Sequence, residues 1–177
     1  MRNAKILDRI PKTAHYAVMN SPVGELTLLT SAAGLHAILW DNDAEHFSSK
    51  EIIATSYQPA NDEISRKTQK QLLEYFQGQR QNFDLPLVLN GTDFQIKAWQ
   101  QLLEIPYGET VSYAEQAAKI SNRNKARAVG MANGLNPISI VVPCHRVIGS
   151  NGDLVGFGGG LEKKAYLLNL ERQYAGK

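Results

Sequence analysis

The pattern of apolar and polar positions divides the chain into two halves of different character. In the first, Tyr16–Asn20, Glu25–Thr30 and Leu35–Trp40 are short runs rich in Val, Leu, Ile and aromatic residues, separated by Pro22-Val23-Gly24 and by Gly34. Runs of that length bounded by turn residues predict strands, and three in succession predict an antiparallel meander. Asp62–Gln77 then carries Ile64, Leu72, Leu73, Tyr75 and Phe76 at near-helical spacing, and Gly78 closes it. Gln79–Gly91, with Pro86 and Gly91, reads as a connection.

The second half predicts helices. Thr92-Asp93-Phe94-Gln95 has the form of a capping box, in which a hydroxyl bonds the amide three residues on and the glutamine reaches back. Phe94, Ala98, Trp99, Leu102 and Leu103 fall on one face of the helix it opens, which Pro106 and Gly108 end. Ser112-Tyr113-Ala114-Glu115 is a second box, opening a helix to Ile120. After a turn at Ser121–Arg123, a third helix is expected over Asn124–Asn133, with Gly134 as its left-handed stop. Two short helices joined by a few polar residues have the outline of a helix-turn-helix, although most helical hairpins bind nothing. Ile138–Val142 is largely apolar and reads as a buried segment leading to Pro143 and Cys144. The glycine-rich Val155–Gly160 precedes a final helix, Leu161–Arg172, with Leu161, Ala165 and Leu168 expected inward. The fold class expected is α+β, with an N-terminal sheet domain over 1–80, a linker over 81–91 and a mainly helical domain over 92–177.

Composition narrows the class. The chain has 177 residues, 43% of them apolar and 20% charged, which is the profile of a soluble globular protein and excludes disorder and collagen-like repeats. No apolar run is long enough to span a membrane, and the opening MRNAKILDRIPK lacks the apolar stretch of a secretory signal. Cys144 is the only cysteine. It permits no intramolecular disulfide and no multi-cysteine zinc site, and points to a reducing, cytoplasmic setting. His15, His36 and His46 stand alone in the sequence, so no metal and no cofactor are expected.

Charge is uneven. Residues 1–91 hold nine Lys/Arg against ten Asp/Glu, and residues 92–177 hold ten against seven. No acid occurs from Gln116 to Gly152, where Lys119, Arg123, Lys125, Arg127 and Arg146 fall. That suits a polyanion such as nucleic acid, though a solvated basic face gives the same pattern.

The chemistry is sought around Pro143-Cys144-His145-Arg146-Val147. A thiol becomes a strong nucleophile when an imidazole or positive surroundings favour its thiolate. A buried structural cysteine beside a histidine is the alternative from the residues alone. Asn136, eight residues upstream, is placed to hydrogen-bond the turn. Gly156-Phe157-Gly158-Gly159-Gly160-Leu161 lacks the last glycine of the dinucleotide pattern, and no Gly-Lys-Ser/Thr occurs, so a phosphate loop is discarded.

The stretch Asn136-Pro137-Ile138-Ser139-Ile140-Val141-Val142-Pro143-Cys144-His145-Arg146-Val147-Ile148-Gly149 resembles the active-site signature of the O6-alkylguanine-DNA alkyltransferases, the methylated-DNA–protein-cysteine methyltransferases. The likeness extends through Ile105–Tyr113, Arg127-Ala128-Val129-Gly130 and Gly156–Leu161 to Glu171, and Ser21–Leu28 looks like the family's N-terminal hairpin. The resemblance implies a ribonuclease-H-like N-terminal domain. It also implies a single-use DNA repair protein, a monomer with cooperative binding along DNA as the alternative, that takes an alkyl group from O6 of guanine in double-stranded DNA, with O4-alkylthymine as a second candidate substrate. Cys144 resembles the alkyl acceptor, His145 the base that takes its proton through a water, and Glu171 the carboxylate that orients the histidine. Asn136 joins these as the residue shaping the turn. Tyr113 and Arg127 resemble the pair that flips the base through the minor groove, with Ala126, Ala128, Gly130 and Ala132 small enough for close approach. Val147, Phe157, Gly158 and Lys164 resemble the base pocket, with Phe157 and Gly158 standing where many relatives have tyrosine and serine or alanine. That double departure implies room for alkyl groups larger than methyl. Two rivals are a lesion binder without chemistry, against which Cys144 argues, and a cysteine hydrolase, which leaves Arg127 and Tyr113 unexplained.

Overall fold

A computed structural model describes residues 2–41 and 43–176, apart from the side chains of 43–49, so that His46 lies outside the described residues. The chain divides into two compact units, Met1–Asn90 and Gly91–Lys177.

In the first unit, strands β1 (His15–Ser21), β2 (Gly24–Ser31) and β3 (Gly34–Trp40) form the expected antiparallel meander. The short β4 (Gln58–Pro59) pairs in parallel with β1, so the sheet order is β3-β2-β1-β4. Gly24 adopts φ +95° at the first hairpin, where a side chain would also collide with the Asp41 carboxylate. Helices α1 (Arg2–Leu7) and α2 (Asp43–Ser56) were not foreseen in the pattern. Ile6, Leu7, Ile53 and Tyr57 from that side pack on Leu29, Ala37 and Leu39 of the sheet. Alternation along the strands turns Leu26, Leu28 and Ile38 to the other face, and α3 (Glu63–Phe76) packs on the sheet. Leu73 was expected inward but is exposed; α3 buries Ser65, Thr68, Leu72, Tyr75 and Phe76 instead. The segment after α3 is held to this unit, because Leu35 and Pro86–Val88 exchange backbone hydrogen bonds and Gln71 pairs with the backbone of Asp84.

The second unit is mainly helical. Both capping boxes form as the sequence predicts, at Thr92/Gln95 before α4 (Asp93–Leu102) and at Ser112/Glu115 before α5 (Tyr113–Ile120). A 3₁₀ turn at Arg123–Lys125 leads into α6 (Ala126–Gly134), completing the helix-turn-helix. Gly134 is not a left-handed stop. It is the last helical residue, and Leu135 caps the helix with ordinary negative φ. Leu103 is exposed, because α4 ends one residue before it. The three helices pack on one another through a buried polar clasp. Gln116 and Asn133 exchange two hydrogen bonds of 2.7 and 3.3 Å, and Gln116 also donates to the Ala98 carbonyl at 3.1 Å. Strands β5 (Val111–Ser112) and β6 (Val147–Ile148) pair in parallel, and α7 (Leu161–Tyr174) closes the unit.

Gln116→Leu strips Asn133 and the Ala98 carbonyl of their partner. It is expected to cost about 1–3 kcal/mol, the penalty of orphaned buried polar groups, in urea unfolding. Adding Asn133→Leu is expected to recover part of that loss, since both ends of the clasp are then apolar.

Candidate active site

Cys144 opens a 3₁₀ turn, Cys144–Arg146, immediately before β6. The approach to it is built from buried polar bonds. Asn136 donates from Nδ2 to the Val142 carbonyl (2.8 Å) and accepts from the Ile138 amide (3.0 Å), and Val142 N–H closes back on the Ile138 carbonyl. Ile140 sits inside this turn at φ +77°, a left-handed conformation that a β-branched residue adopts only under constraint. Ile138, Ile140 and Val142 are fully buried, and that packing supplies the constraint. Asn136 thus ties together the turn that leads to Cys144.

His145 and Arg146, next in the chain, both reach Glu171 on α7. His145 Nε2 lies 2.7 Å from Glu171 Oε1. Arg146 donates Nη2 to the same oxygen (3.0 Å) and Nε to Oε2 (2.9 Å), while the Gly108 amide donates to Oε2 (3.0 Å). Arg146 Nη1 donates to the Ile105 carbonyl at 2.6 Å. Four donors on two oxygens satisfy the carboxylate almost completely. Burial alone would raise the Glu171 pKa, but the hydrogen bonds from His145 and Arg146 and the charge of the guanidinium outweigh it and hold the group well below the carboxylate range.

An ionised Glu171 requires the hydrogen on His145 Nε2, which assigns the tautomer from the network. Nδ1 then presents a lone pair, and it has no hydrogen-bond partner among the described residues. Burial lowers the His145 pKa below 6.5, against the opposing pull of Glu171, with the charges of Arg146 and Lys164 assisting the lowering. The imidazole is thus neutral and oriented, with the Nδ1 lone pair left without a partner among the described residues.

Lys164 and Tyr113 share the surroundings of the thiol. Lys164 is fully buried, and its ammonium donates to the carbonyls of Val147 (2.6 Å) and Val155 (2.9 Å), with Gly156 O and Tyr113 Oη at 3.4 Å. Burial lowers its pKa to about 8, opposed by the negative charge of a Cys144 thiolate. Burial and that same charge push Tyr113 up to about 12. The Tyr113 hydroxyl donates to the Val155 carbonyl (2.8 Å), so donating to a base requires it to release this bond. Lys164 likewise meets loop carbonyls, and it ties the glycine-rich segment to β6. Val147 is fully buried, and its contribution to this cluster is its carbonyl. Phe157 and Gly158 follow directly in the tied segment and are half-buried.

The remaining predicted residues lie on α6. Arg127 is exposed and makes no hydrogen bond or ion pair with another described residue, and Ala126 and Ala128 beside it are half-buried. Gly130 lies under Tyr113, whose ring is 3.6 Å from where a Cβ would stand. Ala132 does not share the outer face. It is buried, and its carbonyl accepts the Trp99 indole N–H at 2.9 Å. Arg146 had been noted only as one base among several. A buried guanidinium pairing bidentately with a carboxylate 25 residues away leaves no local signal except its place in an acid-free stretch. Leu161 was expected inward on α7 but is 48% exposed, because the inward face is that of Lys164, Leu167, Leu168 and Glu171.

Fold and site together define a protein of two compact units, the second holding a helix-turn-helix and one buried cysteine. Residues 14–89 match the family described as 6-O-methylguanine DNA methyltransferase, ribonuclease-like domain, and residues 93–173 match 6-O-methylguanine DNA methyltransferase, DNA binding domain. A protein of Mycobacterium tuberculosis named methylated-DNA--protein-cysteine methyltransferase is 47% identical over 161 residues, which are 91% of this chain and 94% of that one. One of the same name from Methanosarcina acetivorans is 43% identical over 157 residues, 89% of this chain and 97% of the other. The crystal structure of Mycobacterium tuberculosis OGT in complex with DNA superposes with a TM-score of 0.80 at 44% identity, covering 91% and 94% of the two chains. The chain belongs to the 6-O-methylguanine DNA methyltransferase family.

The ionised Glu171 network predicts a pH dependence of stability. A depressed carboxylate contributes stability that is complete above its ordinary value of 4.5 and is lost as pH falls toward its folded value. His145, lowered from 6.5, binds its proton more readily when unfolded, so it too costs stability as pH falls below that value. Unfolding free energy is therefore expected to decline from about pH 6.5 downward, and Glu171→Gln is expected to flatten the part below 4.5. That variant leaves Arg146 buried without its counter-charge and should lose about 3–5 kcal/mol at pH 7 in denaturant titration.

Proposed function

We propose that this protein repairs DNA by moving an alkyl group from O6 of guanine in a duplex to Sγ of Cys144. The observation that carries the proposal is the His145 imidazole, which follows Cys144 in the chain and is held by Nε2–H on a fixed carboxylate, with no partner at Nδ1 among the described residues. Its Nδ1 takes the thiol proton through a water, and the thiolate attacks the alkyl carbon. The S–C bond forms as the C–O6 bond breaks, and guanine leaves as an anion that accepts a proton at the ring. The product is a thioether with no carbonyl for water to attack, so each molecule acts once. Names carried by the relatives and the DNA complex of a related protein support this reading.

A stacked guanine cannot present its O6 substituent to a buried thiol, so the base is flipped, at a cost of a few kcal/mol. Exposed Arg127 fills the gap it leaves, since a planar guanidinium suits a place between bases, and α6 lies in the minor groove. Tyr113 stands beside the path of the flipped nucleotide. The segment tied by Lys164 covers the base, with Phe157 against its face and the Gly158 amide toward O6. The small Gly158 leaves room for alkyl groups larger than methyl. The protein works as a monomer in the cytoplasm, without metal or cofactor.

Intact-protein mass after mixing with duplex bearing one O6-methylguanine is expected to rise by one methyl group, located on Cys144 and absent in Cys144→Ser. No mass change despite lesion binding would leave a damage-recognition protein without chemistry. Arg127→Ala is expected to slow transfer from duplex by at least about tenfold, the order of one lost stacking contact, while transfer from free O6-methylguanine base stays unchanged. The pH–rate profile is expected to place its acid limb below pH 6.5, because the neutral imidazole persists there.

A further inference from the structure

The outer face of α6 carries two long side chains. Arg127 and Met131 are four residues apart, so one stands above the other on the same side of the helix. Met131 is 70% exposed, more than any other large hydrophobic residue described. The residues beside them on the helix, Ala126, Ala128 and Gly134, are small. A single exposed apolar side chain is ordinary on a protein surface. This one shares its face with an unpaired guanidinium, inside a stretch of 37 residues, 116–152, that holds no acid. A helix presented to a polyanion in this way brings the thioether into the groove along with the cation.

We infer that Met131 is a specificity-determining residue that reads the base pairs flanking the lesion. The inference rests on the docking of α6 in the minor groove proposed above. The groove floor of a G·C pair differs from that of A·T by the guanine N2 amino group, which stands out of the floor and needs a hydrogen-bond acceptor. A thioether pressed over it blocks its water and returns almost nothing, so the contact is penalised. Over A·T the floor lacks the protruding amino group and the side chain seats deeper. Four helical residues advance about 6 Å, close to two base steps. Met131 therefore sets a preference for A·T pairs on one flank of the lesion, about two steps out, while Arg127 acts at the lesion itself.

The test is single-turnover methyl transfer to Cys144 from duplexes with one O6-methylguanine, in which the pairs one to three steps away are A·T or G·C on each side. The wild-type chain is expected to favour A·T on one flank by about fivefold, the size of one imperfectly compensated polar contact. Met131→Ala is expected to lose that preference, and Met131→Leu to keep it. No preference in the wild type, or the same preference in Met131→Ala, overturns the inference. Transfer from free O6-methylguanine base is the control. An unchanged rate in Met131→Ala confines the effect to the groove, and a fall there assigns Met131 a structural role and overturns the inference as well. Failure of the wild-type chain to transfer from any of these substrates would instead remove the methyl-transfer reading.

Discussion

The carboxylate of Glu171 is the interaction on which the site depends. It draws together α7, the turn after Cys144 and the loop through Gly108, a junction that the Arg146 bond to the Ile105 carbonyl also supports. A negative charge with no exposure to water is costly by itself. Here the guanidinium of Arg146 cancels it and two further donors complete its shell. Because Arg146 neutralises the charge, His145 has no need to be protonated. The same pair that makes burial tolerable also keeps the imidazole neutral and its second nitrogen bare. Structural and chemical requirements are met by one network, and no residue in it can be changed without disturbing both.

Lys164 is a second buried charge, and it is handled differently. Among the described residues no carboxylate answers it; backbone carbonyls and the Tyr113 hydroxyl do. Its lowered pKa reflects that weaker compensation. Carbonyls are dipoles fixed to the chain, so a lysine satisfied by them fixes the chain in return. The glycine-rich segment, which has little side-chain packing of its own, takes its position from this ammonium. The Tyr113 hydroxyl bonds the same carbonyls of that segment, so two side chains hold it at one place.

Much of this was legible in the residues, and what was hidden shares a cause. The meander and both capping boxes depend on neighbours in sequence, and they form where the pattern places them. Errors arise where the interior is polar. On α7 the apolar pattern pointed to Leu161, yet the inward face carries Lys164 and Glu171, so periodicity of apolar residues misread the helix. Leu73 misled in the same way on α3, where Ser65 and Thr68 take interior places. Helix α2 has no strong apolar stripe, and β4 is two residues long, so neither leaves a pattern to find. Cys144, His145 and Glu171 were identifiable from resemblance, but the pairing of Arg146 with Glu171 depends on a contact across 25 residues. The left-handed backbone of Ile140 is imposed by packing, and nothing in its residue type announces it.

Glu171 follows His145 and Arg146 by 26 and 25 residues, and that order has a consequence for synthesis. A ribosome delivers Cys144, His145 and Arg146 well before it delivers the carboxylate that orients them. Until α7 is released and docks, the histidine has no fixed tautomer and the arginine no counter-charge. Docking of α7 is therefore the step that completes the buried network beside Cys144.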